Sequence, residues 1–325
     1  MSSVLVVGAG AWGTALAIHA ARAGNAVTLW ARSPGPIAAS RISPRLPGCV
    51  LPDSVQVTGT LPRNADAVLL VVPVQHLRAA LAMALPDAPW ALCMKGLERD
   101  TYLLPLELAA ALRPDAACAV LTGPNFAHEV GAGLPAAAVV ASAGPAVRRR
   151  LIALLGSRSL RLYGSADPVG AQVGGAAKNV IAIAAGIAIG MGLGENARAA
   201  LVTRGLAEMS RLAVALGGRA ATVAGLSGMG DLMLTCAGSG SRNYRLGLAL
   251  GGGGEVEGAG SEDGALPGGG QQAVEGRDAA PALLARAVAA GVECPVIAAT
   301  AAVLSGAMGI VPAMAALLAR PEREE

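Results

Sequence analysis

Two residues stand out by type. Of the 25 basic residues in this 325-residue chain, 23 are arginine, and only Lys95 and Lys178 are lysine. A guanidinium stays charged at any biological pH and presents a wide fork, whereas a lysine amine is compact and releases its proton when its surroundings favour that. A lysine retained against so strong a bias is a candidate for proton transfer, or for a point charge at a crowded site. Three other groups of residues are suited to chemistry. Gly8-Ala9-Gly10-Ala11-Trp12-Gly13 has GxGxxG spacing, Asp231 closes a Gly-Met-Gly-Asp turn, and Ser241-Arg242-Asn243 sets a fork between two hydrogen-bonding groups, which suits a phosphate dianion. Five cysteines (Cys49, Cys93, Cys118, Cys236, Cys294) and three histidines (His19, His76, His128) are scattered without metal-ligand spacing. Reduced core thiols and no metal site are therefore expected, as in a cytoplasmic protein.

The elements that position these groups follow from the apolar pattern. Val4–Val7 is a fully apolar strand that runs directly into Gly8, and a helix follows from Trp12 to Ala23. GxGxxG at a strand-to-helix turn is the arrangement that holds a dinucleotide. Gly8 allows the tight turn and Gly10 lets backbone approach the pyrophosphate. Gly13 lets the helix pack closely, with the amides of Ala11, Trp12 and Gly13 facing the phosphates. After the next strand, Val27–Trp30, an acid would accept the adenosine ribose hydroxyl, but the chain reads Arg32-Ser33. Arg32 suits the additional phosphate of NADP, although a guanidinium there also stacks on adenine without discriminating. The cofactor is accordingly NADP or NAD.

Further apolar runs at Ala67–Val72, Ala91–Met94, Cys118–Leu121 and Ala136–Ala141 alternate with helical segments beginning near Gln75, Leu103 and Pro145. This alternation predicts an α/β fold with a mostly parallel sheet covered on both faces. Beyond Ser165 the strand signal ends and long Ala/Leu/Ile segments take over, first at Ala171–Met191 and then at Ala197–Leu216. The expected organisation is a Rossmann-type dinucleotide-binding domain over 1–165 and an all-helical C-terminal domain over 166–325. Between Gly251 and Gly270 the composition is glycine with acids, which predicts a flexible insert.

Composition bounds the rest. With 54% hydrophobic but 2% aromatic residues, the core must be built from Ala, Val, Leu and Ile. The formal charge of +3 is spread along the chain, and Arg148–Arg150 reads as the solvated face of a helix. No nucleic-acid partner is expected. The charge-free stretch Cys294–Ala319 is long enough to cross a bilayer. Pro295, Pro312 and many small residues divide it into two buried helices, so no integral membrane span is expected. The sequence leaves a homodimer open.

The motifs also carry a resemblance. GAGAWGTALA (8–17), Lys95-Gly96-Leu97-Glu98, GPNFAHEV (123–130), KNVIAIAAG (178–186), NARAALVTRGLAEM (196–209), GLSGMGDLMLTC (225–236) and Ser241-Arg242-Asn243 occur in that order. They resemble successive motifs of the bacterial NAD(P)-dependent glycerol-3-phosphate dehydrogenases, and the match returns at Val274-Glu275-Gly276. The resemblance implies reversible hydride transfer between sn-glycerol 3-phosphate, a small phosphorylated substrate, and dihydroxyacetone phosphate. It also implies a supply of glycerol 3-phosphate for phospholipids, a cytoplasmic location and an active site between the two domains. It assigns the catalytic base to Lys178 and makes Lys95 a cation for substrate and cofactor. Asp231 is implied to contact substrate and orient Lys178. Ser241, Arg242 and Asn243 are implied on the substrate, with Arg242 also on the cofactor. Gly123 and Asn125 are implied on the substrate, and Ala127 and Glu275 on the cofactor.

The physical reading agrees on Lys178. To act as a base near neutrality, a lysine must fall from about 10.4 to about 7–8. Burial in the apolar helix expected to begin there, with Lys95 as a second cation, would push it that way. Four departures from the family pattern are His128 in place of a common Lys, Glu195 in place of a shorter acid or amide, Val50 in place of an aromatic, and Arg277 in place of a frequent Tyr. Three rivals make different demands. A hydroxy-acid dehydrogenase needs a carboxylate-binding group in place of Ser241–Asn243. A non-catalytic dinucleotide sensor leaves Lys178 idle. A membrane-associated interaction protein rests on Cys294–Ala319.

Overall fold

A computed structural model of the chain describes residues 1–254 and 274–319. From residue 255 onward, the insert expected over Gly251–Gly270 lies outside the described residues. The chain divides into two compact units, Met1–Glu98 with Leu103–Gln172, and Arg99–Tyr102 with Val173–Glu325.

In the first unit the apolar runs become strands of one eight-stranded sheet: β1 (Ser3–Val7), β2 (Ala26–Trp30), β3 (Val55–Thr58), β4 (Ala67–Leu70), β5 (Trp90–Leu92), β6 (Cys118–Thr122), β7 (Ala136–Ala141) and β8 (Leu160–Ser165). Their order is β3-β2-β1-β4-β5-β6-β7-β8. All neighbouring pairs are parallel except β6 and β7, where Leu121 faces Val140 in antiparallel register. The strand order reverses between β1 and β4, the point at which open α/β sheets leave a crevice at their carboxyl ends. Val4, Val6, Leu69, Ala91, Ala119, Leu121 and Val140 form one buried sheet face, packed with Leu16 and Ala20 of the helix Ala11–Arg22 and Leu151 of the helix Pro145–Leu155. The helix expected near Gln75 is realised as a 3₁₀ turn, Val74–His76, followed by Leu77–Leu81.

Among the described residues the second unit contains helices and no strand. Its central helix, Pro168–Gly190, is long and apolar enough to cross a membrane, but 89% of its most apolar window is buried inside the protein. The stretch from Cys294 to Ala319 forms two shorter helices, Pro295–Leu304 and Ile310–Leu318. Close backbone packing fixes the crossing of Pro168–Gly190 with Arg242–Gly251. A Cβ on Gly186 would strike Tyr244 O, and one on Gly247 would strike Ile183 O. Gly190 and Gly251 meet the same limit one turn further along. Two helices this close have no latitude to slide, so the residues at their ends are held in fixed register.

Candidate active site

The first unit presents the nucleotide-binding features. Gly8 adopts φ +115°, and a Cβ there would lie 2.5 Å from Val71 O, while one on Gly13 would strike Gly8 O. By contrast, nothing lies within 4 Å of where a Gly10 Cβ would stand. The turn is thus closed on its protein side and open on the side a phosphate would approach. The first intrahelical bond is Thr14 N to Gly10 O at 2.9 Å, which leaves the amides of Ala11, Trp12 and Gly13 without a helical acceptor. No acid occupies the first helical turn to neutralise them. These residues fit a dinucleotide diphosphate. Gly8 N bonds Trp30 O at 3.0 Å, which brings the end of β2 beside the turn, and Arg32 and Ser33 are exposed just beyond it.

The loops after β5 and β6 bring together Lys95, Gly123 and Asn125. Lys95 Nζ donates to Gly123 O at 3.2 Å. Gly123 has φ +139°, and a Cβ there would press within 3.1 Å of Ala138 Cα, so only glycine makes this turn without strain. Among the described residues, two buried oxygens here lack a protein partner, Thr122 Oγ1 and Asn125 Oδ1. Buried polar atoms are normally bonded, and a ligand would supply the missing donor at Asn125. Ala127 begins the next short helix, Ala127–Ala132. His128 is exposed and stacks on Phe126 with ring centroids 5.6 Å apart.

In the second unit, Lys178 lies mid-helix, eleventh in Pro168–Gly190, rather than at a helix start. The preceding ten residues are uncharged and mostly small, with Gly170, Gly174 and Gly175 weakening the helical signal there. Lys178 is buried, and its Nζ donates to Asp231 Oδ1 and to Thr235 Oγ1, both at 2.8 Å. The Thr235 hydroxyl donates in turn to Asp231 O at 2.6 Å, which leaves its lone pairs for the lysine. Close packing explains the meeting. A Cβ on Gly174 would lie 2.6 Å from Ser227 O, so the π-helical turn Leu226–Gly230 sits directly on the central helix and delivers Asp231 to Lys178. The carboxylate beside the amine favours its charged form while the burial expected from the sequence favours the neutral one, so the two influences oppose each other at Lys178. Cys236, in the same short helix, is no competing base, since burial pushes its thiol up to about 12.

Next to this pair lies a second polar cluster. Asn179 Nδ2 donates to Glu275 Oε2 at 3.1 Å, and Asn243 Nδ2 donates to Asn179 Oδ1 at 2.9 Å. Gly276 N completes the cluster by donating to Asn243 Oδ1 at 3.0 Å. Ser241 caps the helix Arg242–Gly251 by accepting from Tyr244 N at 3.3 Å. Arg242 follows at the first helical position, exposed, beside amides that an anion would satisfy. Thr235 thus joins Lys178 to Asp231, and Asn179 joins Asn243 to Glu275; the sequence reading gave no role to Thr235 or Asn179. Thr235 stands four residues after Asp231, which on a helix is the same face, and Asn179 is a rare polar residue in an apolar helix. Of the departures, Val50 is exposed and Glu195 pairs with Arg198 at 2.5 Å. Among the described residues no group of three or more His, Cys, Asp or Glu is placed to hold a metal ion.

Comparison with known proteins gives a consistent result over the whole chain. Residues 3–147 match the model of the NAD-dependent glycerol-3-phosphate dehydrogenase N-terminus, and residues 167–314 match that of the C-terminus. The chain is 51% identical to a glycerol-3-phosphate dehydrogenase [NAD(P)+] of Gluconobacter oxydans (strain 621H), covering 99% of this chain and 98% of that one. It is 53% identical to the enzyme of the same name from Acidiphilium cryptum (strain JF-5), covering 98% and 97%. The fold superposes on the crystal structure of glycerol-3-phosphate dehydrogenase from Coxiella burnetii with a TM-score of 0.91 at 35% identity, covering 98% and 99% of the two chains. With both halves of the chain matching the family's models and its full length matching these relatives, the chain belongs to the NAD-dependent glycerol-3-phosphate dehydrogenase family.

Proposed function

We propose that the protein catalyses reversible, NAD(P)-dependent hydride transfer between dihydroxyacetone phosphate and sn-glycerol 3-phosphate, supplying the latter for phospholipid synthesis in the cytoplasm. The buried contact of Lys178 with Asp231 and Thr235 is the observation that carries the chemistry. The Gly8–Gly13 turn and the helix that follows it would hold the dinucleotide, which when bound would supply or accept the hydride. Every other task falls to side chains of this chain.

In the reducing direction a proton must reach the carbonyl oxygen as hydride reaches the carbon. Lys178, hydrogen-bonded to Asp231, is the donor, and Thr235 fixes its direction. In oxidation, the amine must first lose its proton and then accepts the substrate hydroxyl proton. Asn243, anchored by Asn179 and Gly276 N, and Arg242 at the same helix N-terminus are suited to the phosphate end. Lys95, with Gly123 and Asn125, contributes a compact cation and polar contacts for substrate, and Glu275, Ala127 and Arg32 are assigned to the cofactor.

The test is a spectrophotometric assay of the purified protein with dihydroxyacetone phosphate and NADPH or NADH. Loss of the reduced nicotinamide absorbance is expected with at least one of them. No turnover with either overturns the proposal.

A further inference from the structure

The loop that carries Lys95 is gripped from one neighbouring segment by three polar contacts. Gln75 Nε2 donates to Leu97 O at 3.0 Å. Arg78 Nε and Nη2 donate to the two oxygens of Glu98 at 2.9 and 2.8 Å, a fork-on-fork pair. Glu98 N also donates to Leu103 O at 3.0 Å, so this residue is fixed at both backbone and side chain. Leu97 between them is fully buried. Gln75 and Arg78 both belong to the segment Val74–Leu81 that follows β4, the strand next to β5, from which the Lys95 loop emerges. We propose that Arg78 and Glu98 form a clamp that positions Lys95, making both of them positioning residues for the reaction.

Three observations support a positional role over a purely structural one. The Glu98 side chain is 10% exposed and that of Arg78 is 50% exposed, so a carboxylate has been taken out of water to meet a partner that remains half in it. Such pairs cost desolvation and are weak contributors to net stability compared with apolar packing at the same place. The bidentate geometry fixes both distance and plane, which a hydrophobic contact does not. Finally, Gly96 between Lys95 and the clamp adopts φ +107°, a conformation that an unrestrained loop abandons easily and that the contacts at Leu97 and Glu98 hold in place.

This inference rests on the reading of Lys95 as a substrate-binding cation, and a double-mutant cycle separates the two. Glu98→Gln, Lys95→Ala and the double variant are assayed for kcat and KM with dihydroxyacetone phosphate and the preferred reduced nicotinamide. Glu98→Gln is expected to lower kcat/KM by about 10- to 100-fold, as for a reacting group displaced by roughly 1 Å. In the Lys95→Ala background the same substitution should change kcat/KM less than about twofold, because its effect passes through Lys95. Full additivity of the two losses overturns the clamp while leaving Lys95 in its role. Parental activity in Lys95→Ala overturns the role of Lys95, and the clamp with it. If Glu98→Gln does not fold, Arg78→Gln at the half-exposed end carries the same cycle. Arg78→Lys, which keeps charge but loses the fork, should recover only part of the rate, and full recovery would also overturn the clamp.

Discussion

The Lys178–Asp231 pair makes a quantitative prediction for Asp231→Asn. The two groups are 2.8 Å apart, with side chains 10% and 1% exposed. At an effective dielectric of 20 their gross attraction is about 6 kcal/mol, from which the desolvation of both must be subtracted. Asparagine keeps the shape and an acceptor but removes the counter-charge, leaving a buried ammonium uncompensated. Breaking one side of such a pair typically costs about 3–5 kcal/mol. The lysine also has an escape, since it can fold neutral. For an amine with an ordinary pKa of about 10.4, giving up its proton at pH 7 costs about 4.6 kcal/mol, which caps the loss. A destabilisation of about 3–4.6 kcal/mol at pH 7 is expected. Its pH dependence is diagnostic. Without the counter-charge, the folded amine binds its proton less tightly than in the parent, so stability should rise more steeply in the variant than in the parent as pH climbs from 7 towards 10. Trp12, Trp30 and Trp90 all lie in the first unit, so urea unfolding should be followed by far-ultraviolet circular dichroism, which reports the helices of the second. A loss below about 1 kcal/mol, or one that does not change with pH, would refute the buried-pair argument.

Three further outcomes follow from single contacts. Gly186→Ala drives a methyl into Tyr244 O and should cost about 1–3 kcal/mol in urea unfolding, raising KM for the phosphorylated substrate because Arg242 and Asn243 ride on the displaced helix. His19 is buried with Nε2 2.6 Å from Leu155 O, and burial, the largest influence, holds its pKa below 6.5. The folded state then binds fewer protons than the unfolded one, so stability of the first unit should fall as pH drops from 6.5 towards the lowered folded value. Tryptophan-monitored unfolding should show this slope in the parent and not in His19→Gln. Arg32→Ala should lower kcat/KM for NADPH about 10- to 100-fold more than for NADH, the range for losing a charged hydrogen bond. An unchanged NADPH/NADH ratio removes Arg32 from cofactor selection.

The legibility of the chain divides along physical lines. Strands buried on both faces, such as Val4–Val7 and Ala67–Leu70, are continuous apolar runs, and the sequence reading found them. It missed β3 (VQVT) and β8 (LRLYGS), the two edges of the sheet. An edge strand alternates apolar with polar residues over a short span and looks like loop. The antiparallel turn at β7 was also hidden, because strand direction is set by the connection rather than by composition. At the site, Lys178, Asp231 and Asn243 announced themselves by residue type and motif. Their mutual contacts did not, because those depend on glycines at 174, 186 and 247 whose value lies in the absence of a side chain. A pattern of apolar periodicity cannot register that. The partner of Lys178 was likewise hidden, because a carboxylate 53 residues away is a tertiary fact.

The central claim, that Lys178 carries the proton, is tested most directly by Lys178→Ala in the reducing assay with dihydroxyacetone phosphate. The account predicts a fall in kcat of about 10²- to 10⁴-fold, unchanged affinity for the reduced nicotinamide by fluorescence titration, and partial recovery of rate on adding a small primary amine. A variant that turns over within about tenfold of the parent would contradict it.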